Sequence, residues 1–230
     1  MPAYDPISVD EDAYRSPFWG TFTLAKENIE GLVAVNLLWS VTLIPLFLAV
    51  GMTIWPLWVR GILLVIGLIA SAGATGVLYG LVEYLNHREP LSLEVVRSMW
   101  EQLAIAGMQR LAPLFGTLGV ALLGLTLANT LHLFVLQALS GALLLCLLLC
   151  SMYWGPLFAE KPESSSWHML RRSFYFVSRY PGLTLLSLLF AAIVGLFGVV
   201  SLAGLFLIVP VLIAIYQTRR YQSLRMTHNH

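Results

Sequence analysis

Six residues carry most of the polar chemistry that this sequence offers. Asn36, Tyr79, Gln137 and Trp154 lie in long apolar stretches, and Arg97 and Arg172 lie in polar ones. An amide, a phenol and an indole in apolar surroundings could hydrogen-bond a neutral solute such as a sugar. Each could equally bond a neighbouring helix, the commoner use of a polar side chain inside a membrane. The arginines could grip a carboxylate or phosphate through paired N–H groups, or attract anionic lipid by charge alone. Glu83 is the carboxylate closest to an apolar run, and Asn86, His87 and Arg88 follow within a turn. It is expected at headgroup level, paired with Arg88, rather than as a buried proton carrier.

Other reactive residues do not assemble into sites. The five histidines are His87, His132, His168, His228 and His230, and none stands at metal-ligand spacing from a partner within an apolar run. The terminal histidines read as part of a tail. Cys146 and Cys150 are four apart and share one helix face. They read as small apolar residues, not as a disulfide or metal pair. No glycine-rich phosphate loop, serine elbow or HExxH is present. No catalytic residue, cofactor or metal is therefore expected, and the chain reads as non-enzymatic.

The elements that position these residues are membrane helices. Of 230 residues, 58% are hydrophobic and 11% charged, whereas soluble domains carry about 25% charged residues. A net charge of +1 gives no general attraction to nucleic acid. The first 29 residues are acidic rather than basic, so no cleavable signal is expected and the first span drives insertion. A span needs roughly 20 apolar residues. Five apolar stretches meet that need, at 31–53, 61–85, 113–130, 131–156 and 182–217. The last is too long for one span and divides near 201–204 into a fifth and a sixth. The expected fold is all-α: a polytopic bundle of six transmembrane helices at 31–217, a cytoplasmic N-terminal segment at 1–30 and a cytoplasmic tail at 218–230. Pro45 and Pro210 are expected to kink their spans.

Charge sets the orientation. Arg15 and Lys26 precede the first span, and Arg88, Arg97 and Arg110 follow the second. Lys161, Arg171, Arg172 and Arg179 follow the fourth, and Arg219, Arg220 and Arg225 follow the sixth. Only Arg60 falls on the other side. Lys and Arg concentrate in cytoplasmic loops, so both termini and both large loops are expected inside.

The two large loops carry helical periodicity. Val96, Met99, Leu103 and Ala106 recur at helical spacing in 92–110, with Ser92 as the expected N-cap. Trp167, Leu170, Phe174 and Val177 recur in 166–180. Both segments are expected as amphipathic surface helices, with Trp100 at the interface and Pro113 and Pro181 opening the next spans. Tyr79-Gly80 with Arg97-Ser98 lies 75 residues before Trp154-Gly155 with Arg172-Ser173. That spacing outlines an internal repeat of span, surface helix, span. In the second span, Ala72, Gly76 and Gly80 form one small-residue stripe and Gly67, Ser71 and Thr75 another. Such stripes allow close helix contact, and Leu78 is expected to face lipid.

Val35-Asn36-Leu37-Leu38-Trp39 followed by Pro45, Gly73 to Tyr79 running to Arg88-Glu89-Pro90-Leu91-Ser92, and Tyr153-Trp154-Gly155-Pro156-Leu157 followed by Leu170-Arg171-Arg172-Ser173 and Tyr180-Pro181 form a set of short motifs. Together they resemble the YesL-like bacterial membrane proteins, a family of unknown function, over roughly residues 30–220. The stretch 51–70 is longer than the family pattern. The resemblance implies a bacterial cytoplasmic membrane and a link to carbohydrate uptake, and supplies no catalytic residues. The expected role is an accessory or assembly partner, for instance of a sugar transporter component, surrounded by the lipid bilayer. The alternative is a small permease for a neutral solute, with Asn36, Tyr79, Gln137 and Trp154 lining a polar path.

Overall fold

The computed structural model of the chain describes residues 29–86, 93–201 and 208–228. Eight helices make up these residues: α1 (Ile29–Val41), α2 (Ile44–Gly51), α3 (Leu57–Asn86), α4 (Leu93–Thr130), α5 (Phe134–Glu160), α6 (Ser166–Arg179), α7 (Pro181–Val200) and α8 (Val209–His228). The N-terminal segment before residue 29, His87, Arg88, Ser92 and the turn at 202–204 lie outside the described residues.

Four helices are individually long and apolar enough to cross a membrane: α3, α4, α5 and α7. The α1–α2 pair meets the same test jointly, bent by 41°. The bend has a local cause. Pro45 sits in the first turn of α2 and has no N–H to give to the preceding turn. In the turn before it, the Thr42 hydroxyl bonds the Trp39 carbonyl at 2.6 Å. In α8, Pro210 falls in the first turn, where proline costs no helical hydrogen bond.

The small-residue stripe of α3 is where two helices approach most closely. A Cβ on Gly107 of α4 would lie 3.0 Å from the Ala72 carbonyl and 3.1 Å from the Gly73 Cα. One on Gly76 would lie 2.9 Å from the Phe158 ring of α5. Bare glycine backbones thus let α3 and α4 pack antiparallel, with α5 against them. Leu78 is 3% exposed within this core, correcting its expected lipid-facing position. The stripe is flanked by packing surfaces on both sides, not one.

α4 departs from the expected separate surface helix and span. It is one 38-residue helix with Pro113 inside it. At about 1.5 Å per residue it is about 57 Å long, against a hydrocarbon core of about 30 Å. Its charged residues, Glu94, Arg97, Glu101 and Arg110, all lie in the first half, and the stretch from Leu111 to Thr130 carries none. The segment before Pro113 and the apolar stretch after it therefore belong to one continuous helix. The expected apolar face is real, since Val96, Met99 and Leu103 pack on the bundle, as does Ala106. Trp100 also packs there. That packing supports the helix on the N-terminal side of Pro113. Beside the proline, the Arg110 carbonyl accepts a 2.7 Å bond from the Ser166 hydroxyl of α6.

In the second half of the chain the corresponding segment is a separate helix, α6. α6 begins at Ser165, whose hydroxyl accepts the His168 N–H at 3.3 Å. Tyr180 is both its C-cap and the N-cap of α7. The buried face of α6 is Met169, Ser173 and Phe176. This corrects the expected grouping, because Trp167 and Phe174 are 73% and 55% exposed on the opposite side. Leu170 and Val177 lie between the faces, half-buried against the core. The boundary drawn at residue 217 falls inside α8, which runs unbroken to His228 with Tyr221 and Leu224 buried.

Candidate functional site

Polar bonds between helices define the register of the bundle. The Tyr79 hydroxyl of α3 donates to the Gln217 side-chain carbonyl of α8. One turn on, the Gln222 amide donates to both Glu83 oxygens, at 3.1 and 3.3 Å. The Gln217 amide also meets the Met152 sulfur of α5 at 3.3 Å. Two turns beyond Met152, the Tyr221 hydroxyl donates to Glu160. Residue numbers rise together in each pairing, so α3, α5 and α8 run in the same direction. Antiparallel packing of α3 on α4 brings the charged half of α4 to the same end. Among the described residues, the charged side chains thus collect at one end of the bundle. Arg60 is at the other, donating to the Ala49 carbonyl at 2.7 Å.

The centre of the charged end is Glu160, the last residue of α5. One of its oxygens meets Arg172 of α6 at 3.4 Å, and the other meets Arg225 of α8 at 3.5 Å. Tyr221 completes the group, wedged against Phe176 with ring centroids 5.3 Å apart. Burial, reinforced by the bond to Glu160, pushes the Tyr221 phenol above its ordinary pKa, so it remains the donor. One carboxylate therefore ties three helices. A cleft of about 600 Å³, lined by residues 160–164 including Lys161 and Glu163, opens beside it.

The six residues singled out from sequence do not converge. Asn36 is fully buried on α1, and its side-chain oxygen accepts the Val211 N–H of α8 at 3.2 Å. Val211 lies in the first turn of α8, whose N–H groups lack helical partners. Asn36 thus caps one helix from another. Tyr79 bonds Gln217, and its ring fills the space left by the missing side chain of Gly155. Trp154 is 1% exposed, packed near Phe115 of α4, and its indole N–H has no hydrogen-bond partner among the described residues. Gln137 lies at the α4–α5 hairpin, 3.4 Å from Asn129, away from the other three. That hairpin turns at His132, with φ of 54°. Arg97 is on the exposed side of α4, paired with Glu101 at 3.0 Å. Arg172 belongs to the Glu160 group, so the two arginines matched by the repeat have different environments.

Sequence reasoning missed Glu160, Gln217, Tyr221, Gln222 and Arg225. A signal existed: Gln217, Tyr221 and Arg225 recur every fourth residue, which places them on one helix face. Reading 218–230 as a tail concealed it. Cys146 and Cys150 are free thiols in α5. Among the described residues, no three His, Cys, Asp or Glu side chains gather as metal ligands. Comparison of the chain with protein-family models, curated proteins and solved structures gives no match.

Proposed function

We propose that this protein is a multi-pass accessory or assembly partner in a bacterial cytoplasmic membrane, non-enzymatic and linked to carbohydrate uptake. Its charged end faces the cytoplasm, and the last apolar stretch of the sequence, 182–217, supplies a fifth and a sixth span. The link to carbohydrate uptake rests on the YesL-like motifs. One observation carries the docking role. α4 is longer than a bilayer core is thick, and its first half presents Glu94, Arg97 and Glu101 on an exposed ridge. Its opposite face is fixed to the bundle by Val96, Met99 and Leu103. A rigid, charged ridge suits recognition of a membrane-protein partner with complementary charges, such as a sugar transporter component. Deleting the gene is expected to lower sugar uptake, and mild-detergent purification is expected to retain the transporter component. Unchanged uptake together with no retained protein contradicts the role.

A second reading, a small permease for a neutral solute, is favoured by one detail. Trp154 Nε1 and Thr218 Oγ1 are buried polar atoms without hydrogen-bond partners among the described residues. Buried polar groups are otherwise almost always paired. Reconstituted vesicles that move no sugar would eliminate it.

A further inference from the structure

α6 has two faces that serve different neighbours. The inner face is fixed to the bundle: Phe176 stacks on Tyr153 of α5, with centroids 5.3 Å apart, and Met169 and Ser173 are buried beside it. Arg172 is held on Glu160. The outer face carries Trp167 and Phe174, two turns apart, with Arg171 between them. Arg179 is exposed in the last turn. The helix contains no acidic residue, and neither Arg171 nor Arg179 forms an ion pair among the described residues.

The tethers fix where this face sits. α6 is a 14-residue helix between α5 and α7, both long and apolar enough to cross a membrane. Residues 161–165 join it to α5, and Tyr180 alone joins it to α7. It therefore lies where those helices leave the hydrocarbon. Tryptophan and arginine together are the composition of that layer: aromatic rings settle among headgroups, and basic side chains on an amphipathic helix attract anionic lipid. We propose that the outer face of α6 binds the anionic lipid headgroups of the adjacent leaflet. Trp167 and Phe174 insert beside the acyl boundary, and Arg171 and Arg179 engage the phosphates.

The test is lipid competition at Trp167 in the full-length protein reconstituted into vesicles of phosphatidylcholine and phosphatidylglycerol. Acyl-brominated forms of each lipid serve as quenchers. The chain has seven tryptophans, so the Trp167 signal is taken as the difference between wild type and Trp167→Phe. Brominated phosphatidylglycerol is expected to bind there about thirtyfold more strongly than brominated phosphatidylcholine, from two arginine charges. Arg171→Gln with Arg179→Gln should bring that ratio close to one, leaving quenching of the other tryptophans unchanged. Equal quenching by the two lipids in the wild type overturns the proposal. So does a Trp167 signal quenched by aqueous iodide but not by brominated lipid, which places the face in water. The wild-type competition decides by itself if the double variant fails to fold.

Discussion

Gly155 and Tyr79 form a pair that each position alone does not reveal. The Tyr79 ring occupies the place a Gly155 side chain would fill, and its hydroxyl is held by Gln217. Gly155→Ala forces the ring to move or give up that bond, at a cost of about 1–3 kcal/mol. Unfolding in detergent should show the loss, and most of it should disappear in a Tyr79→Ala background, where no ring remains to clash. Equal losses in both backgrounds would mean that the two do not meet. At Glu160 the partners differ in exposure: the Arg172 side chain is 30% exposed and that of Arg225 54%. Exposed pairs contribute little, so Arg225→Gln should cost under about 0.5 kcal/mol. Arg172→Gln should cost about 1–2 kcal/mol, because Arg172 is the more enclosed partner of the same carboxylate. Arg172→Lys should retain most of the stability, since a single N–H meets the carboxylate rather than a two-bond fork. Loss on Lys substitution as large as on Gln would show that the planar guanidinium matters here.

At the scale of elements, the unusual joint is the start of α8, which is capped from α1. Asn36→Ala leaves the Val211 N–H without an acceptor in an apolar surround, costing about 1–3 kcal/mol. Hydrogen exchange should rise at Val211 and the next turn and stay unchanged in the middle of α5. Uniform loosening of all helices would refute a local cap. Much of the architecture was legible because apolar length and breaks in it are one-dimensional signals. The α4–α5 hairpin at 131–133 and the separation of α7 from α8 were both read from them. What was not legible depends on three-dimensional neighbours. Pro113 and Pro181 look alike in the sequence, yet one lies within a continuous helix and the other opens a new one. The difference is support: Val96, Met99 and Leu103 hold the helix before Pro113 on the bundle. Tyr180, by contrast, leaves helical geometry with ψ of 56° just before Pro181. α6 misled for a related reason. It has apolar residues on both faces, so periodicity alone picked out the face of Trp167 and Phe174, whereas Met169 and Phe176 form the face that packs on the bundle.

At the scale of the whole molecule, the bundle separates two kinds of surface. Large apolar side chains stand exposed along the sides of α3, α4, α5 and α7, and charges gather at one end. That distribution satisfies a bilayer around the waist and water at the ends. On the orientation we propose, the charged end is cytoplasmic and the Arg60 end is outside. The direct measurement is thiol labelling with a membrane-impermeant reagent in intact cells and inverted vesicles, after Cys146→Ala and Cys150→Ala. Single cysteines are introduced at Trp58, His132, Glu163 and Ser223. Trp58→Cys and His132→Cys should label only in intact cells, and Glu163→Cys and Ser223→Cys only in inverted vesicles. Labelling of Glu163→Cys and His132→Cys from the same side, or of Glu163→Cys and Ser223→Cys from opposite sides, would contradict the account.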